Sequence, residues 1–102
     1  MTEKRKLLYW EGSSKKDFKE FPIPVQKDMG VALFVVQLGR TPDSAKPWKG
    51  LGSGVYELVE VFRDAASRAI YTVRIGDAVH VLHAFQKKSK SGIATPQPDV
   101  EL

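Results

Sequence analysis

Three apolar segments in the second half of the chain constrain its fold most. Each alternates between two faces of an extended chain: VYELVEVF (55–62), RAIYTVRI (68–75) and AVHVLHAF (78–85). The segment RDAAS and the pair Gly76-Asp77 separate them as turns. Because strands joined by such short connections pair antiparallel with their neighbours, the sequence predicts a three-stranded meander.

The N-terminal part of the chain predicts a strand followed by a short helix. KLLYW (6–10) is apolar and has the length of a strand. Ser13 and Ser14 follow, and their hydroxyl oxygens are typical N-caps for a helix over KKDFKEF. Pro22 and Pro24 end this helix, because proline lacks an amide hydrogen and restricts the residue before it.

A second helix is predicted over 24–38. Apolar residues recur there at helical spacing, and Gly39 is a typical left-handed terminator. The repeating residues are Val25, Met29, Leu33 and Val36. Further apolar residues, Phe34 among them, widen the stripe. We therefore expect this helix to be covered on more than one side, with Met29 and Phe34 in the core.

The order of elements predicts an α+β fold. A first strand at the N-terminus and two N-terminal helices precede the meander, and one long connector, TPDSAKPWKGLGSG (41–54), joins the two parts. This order favours two helices packed on one face of a small antiparallel β-sheet. A chain of 102 residues builds one core, so residues 1–102 are predicted to form a single domain.

Composition excludes several classes of function. The chain has no cysteine, which excludes disulfides and thiolate chemistry and fits the cytoplasm. No apolar run approaches the roughly 18–20 residues that span a bilayer, so no membrane partner is expected. Eight Lys/Arg stand against four Asp/Glu between residues 46 and 93. This basic half fits a nucleic acid or another acidic partner, although lysines that only keep a protein soluble explain it equally well.

Two familiar kinds of site are not supported by their spacing. The glycines of GLGSG (50–54) follow a loop and open a strand, whereas a phosphate-binding glycine loop follows a strand and opens a helix. We interpret them as turn residues. His80 and His83 are three apart on a predicted strand, so we expect them on opposite faces. No metal site and no cofactor are predicted.

Strand alternation places several reactive side chains on one face of the meander. The predicted core face of the middle strand is Ala69, Tyr71, Val73 and Ile75, and the opposite face carries Arg68. We expect His83 and Phe85 of the last strand to share the face of Arg68, with Glu57 on the adjacent strand. Lysines from the connector and from the end of the last strand surround this cluster: Lys46, Lys49, Lys87 and Lys88.

This combination fits cleavage of an RNA backbone. The 2′-hydroxyl must lose a proton, the phosphate gains negative charge, and the leaving 5′-oxygen must gain a proton. The imidazole of His83 is suited to proton transfer, and the planar fork of Arg68 to phosphate oxygens. Phe85 is a candidate for stacking a base, and the lysines attract the backbone. Taken alone, His83 is more typical of a structural hydrogen bond, and Glu57 of a surface ion pair.

The motifs resemble those of a toxin family. GLGSGVYELVE and SRAIYTVRIGDAVHVLHAFQKKSKSG, with WEGSSKKDFKEFP and VQLGR before them, are similar to the phage-derived, HigB-like branch of the RelE/ParE toxin superfamily. These are toxins of type II toxin–antitoxin modules. The resemblance implies two helices against a small antiparallel sheet and an antitoxin partner, usually a helix-turn-helix DNA-binding protein. Many members cut mRNA without a metal, often on the ribosome.

The resemblance also assigns residues. The arginine of the family's Y-R-x-x-Y segment falls on Arg68, the basic residues after the last strand on Lys87 and Lys88, and the LHAF positions on His83 and Phe85. Where RelE-type ribonucleases carry lysines before that arginine, this chain has Glu57 and Val59. That departure shifts proton transfer to His83, with Glu57 orienting it. The basic C-terminal helix of this branch is expected to be absent or very short.

The predicted function is a cytoplasmic toxin that acts as an mRNA endoribonuclease and is neutralised by its antitoxin. The predicted catalytic residues are Arg68, His83 and Glu57, and the predicted RNA-binding residues are Lys46, Lys49, Phe85, Lys87 and Lys88. Two alternatives stay open. One is a non-catalytic toxin that inhibits a target such as DNA gyrase by binding, and the other is an inactive prophage-derived remnant.

Overall fold

The computed structural model describes residues 5–48, 50, 52 and 54–88, with only the backbone of Lys88. The elements follow in the order β1 (Leu7–Trp10), α1 (Ser14–Phe18), α2 (Ile23–Gln37), β2 (Ala45–Pro47), β3 (Val55–Phe62), β4 (Ala65–Thr72) and β5 (Ala78–Lys88). The predicted α+β fold class, helices packed on a sheet, is confirmed. Neither α1 nor α2 has the length and hydrophobicity needed to cross a membrane, and no other helix in the described part of the chain does.

The sheet has the strand order β1-β5-β4-β3-β2. The meander of β3, β4 and β5 is antiparallel, as predicted, whereas β1 pairs in parallel with β5, so the sheet as a whole is mixed. The strand β2 was not predicted. It lies within the segment interpreted as a connector and pairs with β3, placing Lys46 opposite Glu57. The expectation that the basic C-terminal helix is absent or very short concerns residues outside those that the structure describes.

A tight hairpin joins β3 to β4. Phe62 pairs with Ala65, so the turn is Arg63-Asp64 rather than the whole segment RDAAS, and Arg63 has a positive φ of 59°. The small residues at 65–67 have low strand propensity. They are nevertheless part of β4, because they pair with β3 on one side and with β5 on the other. The predicted strand 68–75 therefore begins earlier and ends at Thr72. Val73 and Ile75, expected in the core, follow the strand and are exposed.

The hydrophobic core lies between the helices and one face of the sheet. Met29 and Leu33 of α2 pack there with Leu58 of β3, and all three are almost fully buried. The opposite side of α2 is open, since Val31 is 64% and Phe34 41% exposed. The expectation that α2 is covered on more than one side, with Phe34 in the core, is therefore wrong.

The helix ends predicted from the sequence are confirmed for α2 but not for α1. Gly39 ends α2 as predicted: its φ is 91°, and its amide donates to the carbonyl of Val36 at 2.9 Å. The predicted serine caps of α1 are wrong. Ser13 Oγ donates to the Asp17 carboxylate at 2.8 Å, and neither serine caps the helix through its side chain. The buried Ser14 Oγ instead donates to the carbonyl of Val81 at 3.1 Å, which anchors α1 to β5.

A β-bulge in β5 changes which of its residues share a face. The register to β4 is Ile70↔His83, Tyr71↔Val81 and Thr72↔His80. Leu82 is thus an extra residue without a partner on β4, and alternation is interrupted at that point. His80 and His83 consequently lie on the same face of the sheet, and the expectation that they point to opposite faces is wrong.

Candidate functional site

The candidate site lies on the face of the sheet that points away from the helices, which we call the open face. The opposite face buries Leu58, Ala69 and Ala84 against the helices. Strand register places the following residues on the open face: Tyr9, Lys46, Glu57, Arg68, His80, His83, Phe85 and Lys87. The structure therefore brings together all the described residues predicted to form the site.

An ion pair between Arg68 and Glu57 forms the centre of this face. Arg68 Nη1 lies 2.6 Å from Glu57 Oε2, and the two side chains are 29% and 11% exposed. Arg68 sits on β4 opposite Phe85, and Glu57 sits on β3 opposite Ile70, which is itself buried. Because Glu57 is nearly buried, its carboxylate holds the guanidinium in one orientation against the sheet.

The guanidinium keeps hydrogen-bonding capacity that this pair does not use. Arg68 Nε is buried and has no hydrogen-bond partner among the described residues. A buried donor left without a partner costs on the order of 1–3 kcal/mol. Because Nε is enclosed, the donors open to a ligand are those on the exposed part of the side chain, which is 29% exposed. An arginine presents its donors in a planar fork that matches the oxygens of a phosphate or carboxylate. The exposed part of the guanidinium therefore has the chemistry that suits an anion.

An imidazole and an aromatic ring stand beside the guanidinium. The ring centroids of His83 and Phe85 are 5.2 Å apart with an interplanar angle of 34°. His83 is exposed, and no hydrogen bond to it is found in the part of the chain that the structure describes. Since Arg68 pairs with Phe85, His83 is its diagonal neighbour, at roughly 7–8 Å between Cα atoms. The imidazole is thus available to a ligand rather than held by a structural hydrogen bond.

Cations extend the site towards the β3–β4 hairpin. Lys87 is exposed and lies opposite Ala66. A shallow pocket of about 300 Å³ has Lys87, Arg68 and Arg63 in its lining. Lys46 is exposed beside Glu57 on β2. Sequence reasoning missed Arg63 because it assigned that residue to a solvated turn. Lys49 and the side chain of Lys88 lie outside the described residues.

A second cluster occupies the same face at the edge formed by β1. His80 Nδ1 lies 2.6 Å from Glu11 Oε2, and the His80 ring stacks on Tyr9 with centroids 5.1 Å apart. Sequence reasoning did not find this cluster, since neither the bulge nor the parallel pairing of β1 is visible in the order of residues. No signal in the sequence would have placed His80 here.

The end of the connector is fixed by a hydrogen bond to Thr72, the last residue of β4. Thr72 Oγ1 donates to the carbonyl of Gly54 at 2.9 Å. Gly54 has a φ of 84°, and a Cβ atom there would overlap the side chain of Arg74. The glycine is thus required by a left-handed conformation and by a close approach, which agrees with its interpretation as a turn residue.

Comparison with known proteins gives a family and a fold. Residues 16–102 match the family described as Phage derived protein Gp49-like (DUF891). No curated protein matches at a significant level. The chain is similar to a mutant of the Escherichia coli toxin RelE in the free state, with a TM-score of 0.58, 17% identity and 85% of each chain covered.

A second similar structure is the toxin–antitoxin complex RelBE2 from Mycobacterium tuberculosis. Its TM-score is 0.54 at 15% identity, over 81% of this chain and 99% of that chain. Identities this low establish the fold, and the match to the family covers most of the sequence. The motifs predicted both: this protein belongs to the phage-derived Gp49-like family and has the fold of the RelE toxins.

Proposed function

We propose that this protein is the toxin of a type II toxin–antitoxin module and cleaves mRNA at the open face without a metal ion. The observation that carries the proposal is the Arg68 guanidinium, fixed by Glu57 on a side chain that is 29% exposed, beside the exposed imidazole of His83. Family membership and the RelE fold support the toxin assignment. That one similar structure is a toxin–antitoxin complex supports an antitoxin partner.

Phosphate binding falls to Arg68 in this proposal. Its unused donors receive the oxygens of the scissile phosphate, on which negative charge builds up in the transition state. Glu57 positions the guanidinium, because its carboxylate bonds to Arg68 and not to His83 among the described contacts. The exposed Lys46 and Lys87 attract the neighbouring phosphates.

Proton transfer falls to His83. The 2′-oxygen of the ribose attacks the phosphorus while the bond from phosphorus to the 5′-oxygen breaks, which leaves a 2′,3′-cyclic phosphate and a 5′-hydroxyl. His83 takes the proton of the 2′-hydroxyl or supplies the proton that the 5′-oxygen gains, and solvent water exchanges the other proton. Phe85 stacks on a base next to the scissile phosphate, since its ring lies opposite Arg68.

The test is induction of the protein in bacteria, with growth and transcript cleavage followed together. Arg68→Ala and His83→Ala are expected to abolish growth arrest and the appearance of cleaved mRNA. Lys27→Ala, which removes an exposed cation from α2, is the control and is expected to act like the native protein. Thermal melts confirm that each variant is folded.

Two results would contradict the proposal. Equal growth arrest from the native protein and from both site variants removes the catalytic assignment. Growth arrest with intact transcripts, on and off translating ribosomes, shows instead a toxin that inhibits its target by binding.

A further inference from the structure

We propose that Tyr9, His80 and Glu11 form a nucleobase-binding subsite on the open face that prefers guanine. The proposal rests on the proposed function, because it names a part of the same RNA-binding face. It extends that function by assigning a base preference to residues at the β1 edge, away from Arg68.

The backbone brings the three side chains together. Parallel pairing of β1 with β5 places Tyr9 opposite His80, and the bulge at Leu82 keeps His80 on the open face with His83. Glu11 follows β1, and its amide donates to the carbonyl of Val81 at 2.9 Å. The cluster is therefore built on paired strands, so its geometry is set before any ligand arrives.

Contacts within the cluster set the orientation of its three side chains. The Tyr9 and His80 rings stack at 5.1 Å with an interplanar angle of 25°. His80 Nδ1 and Glu11 Oε2 are 2.6 Å apart, so the imidazole donates from this nitrogen to the carboxylate. The side chain of His80 is only 15% exposed, whereas that of Glu11 is 49% exposed and Tyr9 is 46% exposed. The surface offered to a ligand is thus an aromatic ring beside a carboxylate.

This surface fits a base better than it fits a phosphate. A carboxylate repels a phosphate, but it accepts hydrogen bonds from N–H groups of a base that stacks on the neighbouring ring. No described contact uses Glu11 Oε1, which leaves lone pairs for such donors. Guanine presents two adjacent donors, N1–H and the 2-amino group, to a carboxylate. The other bases place an acceptor beside their donor, so guanine is preferred.

Location on the open face favours RNA as the occupant. Lys46, Arg68 and Lys87 lie on the same face and provide the positive charge that a nucleic-acid backbone requires. Thr72, the partner of His80, is four residues from Arg68 on β4, which corresponds to roughly 13 Å along the strand. A strand of RNA with a phosphate at Arg68 therefore reaches Tyr9 within a few nucleotides.

The experiment uses the full chain labelled with ¹⁵N and titrated with GMP, with UMP and with 2′-O-methyl RNA hexamers that contain or lack guanine. These hexamers resist cleavage, so binding is separated from catalysis. The expected result is a shift of the Tyr9 and His80 amide signals with GMP, and at least fivefold tighter binding of the guanine-containing hexamer. Tyr9→Leu weakens its binding at least fivefold, in line with the loss of one stacked base. Glu11→Gln brings the two hexamers close to equal affinity.

Leu7→Ala is the matched control, because Leu7 lies on the same strand and the same face and is 63% exposed. It is expected to leave both affinities unchanged. Hexamers that shift Arg68 and His83 but not Tyr9 and His80 overturn the subsite and leave the proposed function intact. Equal affinity for both hexamers overturns the guanine preference. Absence of any RNA-induced shift contradicts both proposals, whereas a partner protein that covers Tyr9 while RNA does not overturns only the subsite.

Discussion

Arg68 Nη1 and Glu57 Oε2 form a 2.6 Å ion pair that bridges two neighbouring strands of the open face. The pair serves stability and the proposed function through one contact. A carboxylate only 11% exposed needs a cation, and a guanidinium that binds phosphate needs a fixed orientation. The two requirements are met together because Glu57 uses one nitrogen of the fork and leaves the others.

Breaking this pair from either side is expected to destabilise the fold. Glu57→Gln leaves a partly buried cation, and Arg68→Met leaves a buried carboxylate, so each lowers the free energy of unfolding by about 1–2 kcal/mol. The double variant loses less than the sum, because neither charge is then left alone. Urea unfolding of the four proteins measures this coupling. Additive losses would mean that the contact contributes nothing to stability.

Alanine at Gly54 is expected to cost more than alanine at Gly52. Gly54 and Gly52 both have positive φ, 84° and 92° respectively. A left-handed conformation costs alanine about 1–2 kcal/mol. At Gly54 a Cβ atom also overlaps Arg74, whereas at Gly52 no described atom lies within 4 Å. Thermal unfolding should show Gly54→Ala as the less stable variant by about 1–3 kcal/mol. In an Arg74→Ala background the two alanine variants should become similar.

The surroundings of Glu60 disfavour the charged form of its carboxylate. Burial, and secondarily the charge of Asp28, raise the pKa of Glu60 above its ordinary value of 4.5. The folded state therefore binds this proton more tightly than the unfolded state does, and stability is lost as pH rises through the folded pKa. We expect Glu60→Gln to raise the melting temperature by about 1–3 °C at pH 7. Below pH 4.5 the native protein and the variant should melt alike, and a gain of the same size there would contradict the explanation.

Alternation along the strands was sufficient to predict the open face. It assigned Arg68, His83 and Phe85 to one side correctly, because β4 is regular between Ala65 and Ile70 and His83 follows the bulge. It failed for His80, which precedes the bulge. A single inserted residue reverses the assignment of everything before it, and Leu82 has no property that marks it as inserted.

Short elements and contacts between distant segments were not predictable in the same way. The strand Ala45–Pro47 contains proline and lysine, which are depleted in strands, and it forms because β3 offers it an edge. The ion pair of Arg68 requires the register of β3 with β4, which the tight turn Arg63-Asp64 sets. The outer side of α2 carries Val31 and Phe34 without a cover, so hydrophobicity alone overstated its burial.

Ionisation of the Tyr71 phenol is expected to lower the stability of the protein at alkaline pH. Burial, with a smaller contribution from neighbouring Tyr56, raises the pKa of the Tyr71 phenol from 10.0 to about 12. Its stabilising effect is complete below pH 10 and is lost as pH rises towards 12, by about 2–3 kcal/mol in total. Denaturant titrations between pH 9 and pH 12 measure this loss, and Tyr71→Phe should show a flatter profile. An equally steep profile in the variant would assign the loss to other groups.

Salt dependence distinguishes phosphate contacts from a merely solvated edge. If Lys46, Arg68 and Lys87 each contact a phosphate, log affinity for the 2′-O-methyl hexamer should fall with log salt at a slope of about −2, since a single strand contributes about −0.7 per contact. Lys46→Ala should make the slope shallower by about 0.7, because one set of counterions is no longer released. Lys27→Ala, on the helical side, should leave it unchanged. A flat response of the native protein would show that these cations do not bind the RNA backbone. The open face would then not be the RNA-binding surface, even if the protein cleaved transcripts.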